Sequence, residues 1–220
     1  GLVGSEMCIR DSPMTASPLL MALHSCTDCF GVALQDEVAG EAVSRVEVFR
    51  DGRGLSNTLI GRVESLLPSS RWASLQGLAV STGPGGFTGT RLSVVMARTL
   101  AQQLNCPLLG VSSFALMAAR LNRSLAEEHQ HQPFWITQVL PRRGVVAGCY
   151  RLHADQVEEI STPHLLPQGQ VVSPSLEAQA DPARDVERLL LELRFSQARA
   201  EALPWASVLP IYPTSPVGAV

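Results

Sequence analysis

The chain has 220 residues, 45% of them hydrophobic and 17% charged, with a formal net charge of −3. This composition excludes wholesale disorder, and the charge excludes a global field that draws the protein to nucleic acid while leaving a local basic patch open. All 17 basic residues are arginine, so a P-loop lysine, a Schiff-base lysine and a lysine general base are excluded. No apolar run approaches the roughly 20 residues of a membrane span. Residues 1–13 lack the basic and apolar regions of a secretory signal and do not join the hydrophobic pattern beginning at Leu19; they read as a non-native leader, with Met14 as the start. Five scattered cysteines, an odd number at low density, suit a reducing cytoplasm better than a disulfide framework.

In chain order, Leu19–Leu23 and Gly31–Leu34 are apolar runs that predict a β-hairpin across Ser25-Cys26-Thr27-Asp28. Val43–Phe49 alternates as a third strand. Leu59, Ile60, Val63, Leu66 and Leu67 recur at helical spacing until Pro68 ends the helix. A fourth strand over Leu75–Ser81 runs into Thr82-Gly83-Pro84-Gly85-Gly86-Phe87-Thr88-Gly89-Thr90-Arg91. The next helix is expected from Arg91 to Leu104, with Thr88 or Thr90 as N-cap and Leu92, Val95, Met96, Leu100 and Leu104 as its apolar stripe. Pro107–Val111 reads as a fifth strand, and Ser112 or Ser113 caps a helix to about Leu125. The polar residues 127–133 are the linker candidate. Phe134–Val139 and Val145–Tyr150 predict a second hairpin around Pro141-Arg142-Arg143-Gly144. Residues 161–181 show no clear period. Asp181-Pro182 opens a helix with Val186, Leu189, Leu190 and Leu193 aligned, and Val208–Tyr212 reads as a terminal strand.

The glycine turn carries four glycines, at 83, 85, 86 and 89, and suits either close packing or an anion at the following helix start. It fits neither the dinucleotide nor the P-loop spacing. Cys26-Thr27-Asp28-Cys29 lacks the second pair or the histidines of a zinc site and reads as turn chemistry. No nucleophile elbow and no H-E-x-x-H occur. Arg142 and Arg143 at a hairpin tip read as a solvated turn or as a phosphate or partner contact. Glu158 and Glu159 read as a solvated face.

The run Gly83-Pro84-Gly85-Gly86-Phe87-Thr88-Gly89-Thr90-Arg91 resembles the G-P-G-S-F-T-G-x-R signature of the bacterial TsaB (YeaZ) family, with Gly86 where serine is usual. Pro107-Leu108-Leu109-Gly110-Val111-Ser112-Ser113 resembles that family's P-L-x-G-V-S-S segment, and the likeness covers most of residues 18–150. The resemblance implies an α/β, actin-like (ASKHA, RNase H-like) fold with two mixed-sheet lobes: residues 14–126 first, then the linker, then a reduced second lobe over 134–220. It implies a noncatalytic scaffold subunit in the formation of N6-threonylcarbamoyladenosine in tRNA, paired with TsaD. TsaE is a further partner, tRNA is met through the complex, and self-pairing is open. Helices at about 55–67 and 90–104 would form the TsaD interface, with Leu59, Val63, Leu92, Val95 and Met96 as its candidates.

No cofactor is implied, although weak nucleotide binding is left open. His24 stands where such folds usually place a metal-organising aspartate, and hard cations prefer oxygen ligands. The competing expectations are a nucleotide-binding ATPase or kinase-like enzyme and, last, a peptidase.

Overall fold

The computed structural model describes residues 18–154 and 156–213. β1 (Leu20–His24), β2 (Phe30–Val38) and β3 (Glu41–Phe49) form an antiparallel meander; β4 (Gly77–Ser81) lies parallel to β1 on its other side, and β5 (Leu108–Val111) lies parallel to β4. The order β3-β2-β1-β4-β5 puts β1 and β4 inside the sheet, where every residue of both strands is buried. Strands covered on both faces need apolar residues in sequence rather than in alternation. That is why Leu20-Met21-Ala22-Leu23 has no polar gap.

The two faces serve different cores. Met21, Leu23, Leu78 and Val80 point to α1 (Leu55–Leu66) and α2 (Phe87–Leu104), while Leu20, Ala22 and Ala79 point to α4 (Pro182–Ala198). In α1 the buried residues are Leu55, Leu59, Val63 and Leu66, and the helix stops just before Leu67-Pro68. The expected stripe of α2 is displaced. Its buried face consists of Thr90, Ser93, Val94, Ala97 and Ala101, with Leu92, Met96, Leu100 and Leu104 flanking it. Val95, expected in the stripe, is 55% exposed, and so is Ile60 of α1 at 59%. Small side chains let the helix axis approach the sheet, and larger ones at the seam would overpack it.

The helix-start expectation also needs correction. α2 begins at Phe87, with Gly86 as N-cap and no side-chain cap. Neither Thr88 nor Thr90 caps it, because the Thr90 hydroxyl turns inward to the Cys26 sulfur at 3.6 Å.

α3 (Ser113–Asn122) is capped by the Ser112 hydroxyl, which accepts the Ala115 N–H at 3.1 Å. It is buried on two sides. Leu116 joins the α4 core, and Phe114, Met117, Ala118 and Leu121 join Phe134, Ile136, Val146 and Tyr150 of the second sheet. That sheet contains β6 (Phe134–Leu140), β7 (Gly144–His153), β8 (Gln156–Leu165) and β9 (Ser175–Glu177) in the order β8-β7-β6-β9. The β6–β7 hairpin matches its expectation. β8 lies within or beside stretches read as a solvated face and an aperiodic segment. It is an exposed edge strand with little alternation, and its register shifts between Ala147 and Cys149, opposite the stretch that holds Pro163. Proline is tolerated at edges and bulges because it has no N–H to pair.

Asp181 caps α4 through the Arg184 N–H, and Val186, Leu189, Leu190 and Leu193 are all buried, as their spacing predicts. Their place links the two parts of the chain: α4 falls within 134–220 and packs against β1, β2 and β4 of the first sheet. Val208–Tyr212 is not a sheet strand; it runs beside the glycine turn, where the Ile211 N–H donates to the Thr82 carbonyl at 2.7 Å. Residues 1–13 and Met14 lie outside the described residues. No described helix is long and apolar enough to cross a membrane.

Because Leu189 is fully buried between α4 and the first sheet, Leu189→Ala is expected to cost about 2–5 kcal/mol. Urea unfolding followed by circular dichroism checks this. A loss confined to fluorescence of the second sheet would contradict the placement of α4.

Candidate functional site: the glycine turn and its cleft

The turn between β4 and α2 is built by contact with the β1–β2 hairpin. The Gly86 N–H donates to the Cys26 carbonyl at 2.8 Å. A Cβ at Gly85 would lie 2.1 Å from that same oxygen, and one at Gly89 would lie 2.7 Å from the Ser25 carbonyl. Gly83 has φ +98°, a left-handed conformation that glycine adopts without steric cost. The Gly83–Pro84 peptide is cis, and Ser113 holds the turn from the far side, its N–H on the Gly83 carbonyl (2.7 Å) and its hydroxyl on the Pro84 carbonyl (2.6 Å). Of the two sequence readings, close packing is what these contacts build. Gly86 itself has room, the nearest atom to an added Cβ being 3.6 Å away. Thr88 and Arg91 lie exposed on the first turns of α2.

Beside the turn opens a cleft of about 610 Å³. Its walls are Cys26 and residues 84–87 with Thr90, the tip of the β6–β7 hairpin (Gln138, Leu140, Pro141, Arg143), Val146 and residues 211–213. Phe87 and Tyr212 close one side with ring centroids 5.1 Å apart. Arg143 is the one charged side chain in this lining. Cys26 is not a nucleophile here: burial pushes its thiol up, and its sulfur lies 3.1 Å from the Ser81 hydroxyl. Among the described residues no cluster of three metal-ligating side chains forms.

His24, at the end of β1, is buried, with neither ring nitrogen hydrogen-bonded. Burial disfavours the imidazolium and pulls its pKa down to about 4. It is therefore a neutral ring at pH 7, with no charge to hold a phosphate.

The expected interface residues divide. Leu59 and Val63 are buried in the chain's own core, and Leu92 and Met96 are packed against it; Val95 alone of the five is largely exposed. Like Val95, Ile60 is an apolar residue expected in a buried stripe that is exposed. It shared the helical run but sits one position off the buried line of α1. A second unforeseen cluster joins Ser112, Tyr150 and Glu159. The Ser112 hydroxyl donates to Glu159 Oε2 at 2.5 Å and lies 3.2 Å from the Tyr150 hydroxyl. Burial, reinforced by Glu159, pushes the Tyr150 phenol up. With no imidazole among these contacts and its oxygen committed to the α3 cap, Ser112 is a structural tie rather than a nucleophile.

Residues 52–179 match the protein family described as TsaD, tRNA N6-adenosine threonylcarbamoyltransferase. The chain belongs to this family. Its curated relatives carry the name tRNA threonylcarbamoyladenosine biosynthesis protein TsaB. The one from Bacillus subtilis (strain 168) is 32% identical over 104 residues, covering 46% of this chain and 43% of the relative. The one from Buchnera aphidicola subsp. Acyrthosiphon pisum (strain APS) is 23% identical over 144 residues, covering 61% and 63%. The chain thus matches less than two thirds of either relative's length.

Among solved structures, YeaZ from Pseudomonas aeruginosa superposes with a TM-score of 0.65 at 26% identity, over 89% of this chain and 100% of that one. An uncharacterized protein described as similar to peptidase YEAZ from Pseudomonas aeruginosa gives 0.66 at 26% identity, over 90% and 100%. The TsaB (YeaZ) resemblance and the actin-like α/β fold it implies are both borne out.

The contacts of the turn rank its glycines. Gly85→Ala and Gly89→Val are each expected to cost about 1–3 kcal/mol, because backbone oxygens cannot withdraw. Gly86→Ser, which restores the residue usual in TsaB, is expected to stay within about 0.5 kcal/mol of the parent. Thermal melts of the three variants check the order, and a destabilised Gly86→Ser would contradict it.

His24 makes stability depend on pH with a defined sign. The unfolded imidazole titrates near its ordinary value of 6.5 and the folded one near 4, so between these values the unfolded state binds more protons. Stability is full above pH 6.5 and falls by up to about 3 kcal/mol as the pH drops to 4. Asp185, raised by burial, acts in the opposite direction at the acid end. Urea titrations of His24→Leu across this range are expected to show a flatter profile than the parent. Parallel profiles would contradict a buried neutral ring.

Proposed function

We propose that this chain is a noncatalytic subunit that pairs with a TsaD-type enzyme in the formation of N6-threonylcarbamoyladenosine in tRNA. The family match and the names of the TsaB relatives support the pathway. The observation that carries the noncatalytic reading is the cleft lining: it has no carboxylate to hold a hard cation and one charged side chain, Arg143. At the end of β1, where a carboxylate would be needed, stands the neutral His24. Neither an ATPase nor a kinase-like mechanism finds its metal-organising groups there.

Pairing is supported by the outward faces of α1 and α2. Ile60 and Val95 are among the most exposed apolar side chains of the described residues, and each lies on a helix otherwise well packed against the first sheet. Isolated exposed residues are ordinary, but two on adjacent helices suit an anchor for an apolar partner surface. Self-pairing of two copies through the same helices is the competing occupant. A TsaE-type ATPase joins the complex on this reading, tRNA is modified by the partner, and the protein works in the cytoplasm.

Co-expression with TsaD from the same source, followed by gel filtration with light scattering, tests the proposal. A one-to-one complex is expected, and persistent separate elution would sink it. Ile60→Glu and Val95→Glu are each expected to weaken the complex roughly tenfold or more, with folding stability unchanged within about 0.5 kcal/mol. Full binding by both variants would move the interface elsewhere.

A further inference from the structure

Away from the cleft, five of the 17 arginines line one recess of about 560 Å³. Arg120 and Arg123 come from the end of α3 and the residue after it. Arg184, Arg188 and Arg194 come from the outer face of α4, and Ser44 and Val46 of β3 form part of the floor. Two carboxylates, Asp185 and Glu187, share this lining with the five guanidinium groups. In a chain of net charge −3 this is a local surplus of the opposite sign.

Internal pairing accounts for part of the cluster. Arg120 donates to Asp185 at 3.1 Å and to the Gln179 carbonyl at 2.7 Å, while Asp185 is buried and also accepts the Asp181 N–H at 2.8 Å. Arg188 binds Glu192 at 2.8 Å through Nε. The remaining three arginines differ. Arg184 is 3.4 Å from Asp181 with its side chain 70% exposed. Arg123 and Arg194 are exposed and have no ion-pair partner among the described residues. Like charges gathered in this way repel one another, so folding stability does not explain them.

We propose that this recess binds the phosphodiester backbone of RNA, with Arg123, Arg184 and Arg194 contacting phosphates. The choice of RNA as the polyanion rests on the tRNA-modification reading; the cluster itself does not. Guanidinium forks match phosphate oxygens in two-point contacts. Arg184 and Arg194 are separated by about 15 Å along the helix, a span that reaches phosphates two or more nucleotides apart on one strand rather than a single anion. No aromatic residue lines the recess, so it offers no base stacking. Binding is therefore expected to be tolerant of sequence and sensitive to salt. The recess lies on the α4 side of the first sheet, opposite α1 and α2, so the contact adds to the proposed pairing surface instead of competing with it.

The test measures binding of an unmodified tRNA transcript to this chain alone by fluorescence anisotropy, between about 50 and about 200 mM salt. The double variant Arg123→Ala/Arg194→Ala is expected to lose roughly tenfold or more in affinity and to reduce the log–log salt slope by about 1.5–2. Arg50→Ala, outside the recess, is expected to match the parent. No tRNA binding by the parent, or an unchanged affinity and slope in the double variant, would overturn the proposal. Displacement of tRNA by poly-glutamate of equal charge at equal concentration would overturn it in favour of an acidic protein partner. TsaD co-elution of the double variant is scored separately. Retained co-elution with lost tRNA binding supports the recess; retained tRNA binding overturns it whatever the co-elution shows, and lost co-elution counts against pairing through α1 and α2.

Discussion

The carbonyl of Cys26 is the contact on which the rest of the first sheet is organised. It accepts the Gly86 N–H, and Gly85 passes so close that a methyl group would lie 2.1 Å from it. Around it the Ser25 hydroxyl donates to Ser93 at 2.7 Å, and the Cys26 sulfur sits between Ser81 and Thr90. This small polar seam locks the start of α2 to the end of β1 and to the close of β4. The apolar faces of the helix and sheet provide most of the burial energy, but they are not directional. The backbone approach and the paired hydroxyls are directional, and they fix where α2 starts and which side it turns to the sheet.

From that seat the chain builds outward in layers. α1 and α2 cover one face of the first sheet and α4 covers the other, while α3 lies between α4 and the second sheet. A helix in that middle position has almost no exposed face. Eight of the ten residues in Ser-Phe-Ala-Leu-Met-Ala-Ala-Arg-Leu-Asn are buried, and the sequence has little polar surface to spare. The Ser112–Glu159 hydrogen bond then ties the cap of α3 to the outer strand β8. By returning to the first sheet after the second sheet is complete, α4 adds to the packing that α3 makes between the two sheets.

Where burial and periodicity coincide, the sequence made the fold legible. Val186, Leu189, Leu190 and Leu193 predicted the buried face of α4, and Asp181-Pro182 predicted its start. Hydrophobicity alone failed on α2, because four of the five residues in its seam, Thr90, Ser93, Ala97 and Ala101 beside Val94, are small, and Leu92, Met96, Leu100 and Leu104 only flank it. A close helix–sheet approach selects for small volume, which a search for leucines and valines overlooks. β8 escaped for the opposite reason: an exposed edge strand carries no buried face from which to read a period. At the candidate site, the glycine run identified the turn and its family, but its packing role required knowledge of what lay across from Gly85 and Gly89. The arginines of α3 and α4 were visible as residues. Their convergence on one recess was not, since Arg123 and Arg184 are far apart in sequence and meet only when α4 folds back.

That folding back also sets the relation between the two surfaces proposed for function. α1 and α2 project from one face of the first sheet, and the arginine recess lies on the helix covering the other. A protein partner docked over Ile60 and Val95 therefore leaves Arg123, Arg184 and Arg194 facing solvent. The cleft between the glycine turn and the β6–β7 hairpin is lined by one charged side chain, so the clustered arginines of α3 and α4 lie away from it. Under the proposed reading such a subunit contributes by position: one face would hold an enzyme and the opposite face would offer a track for its polyanionic substrate. The glycine turn contributes to that arrangement indirectly. By fixing α2 against the sheet at one angle, it sets the direction in which the exposed face of α2, with Val95, points relative to α4.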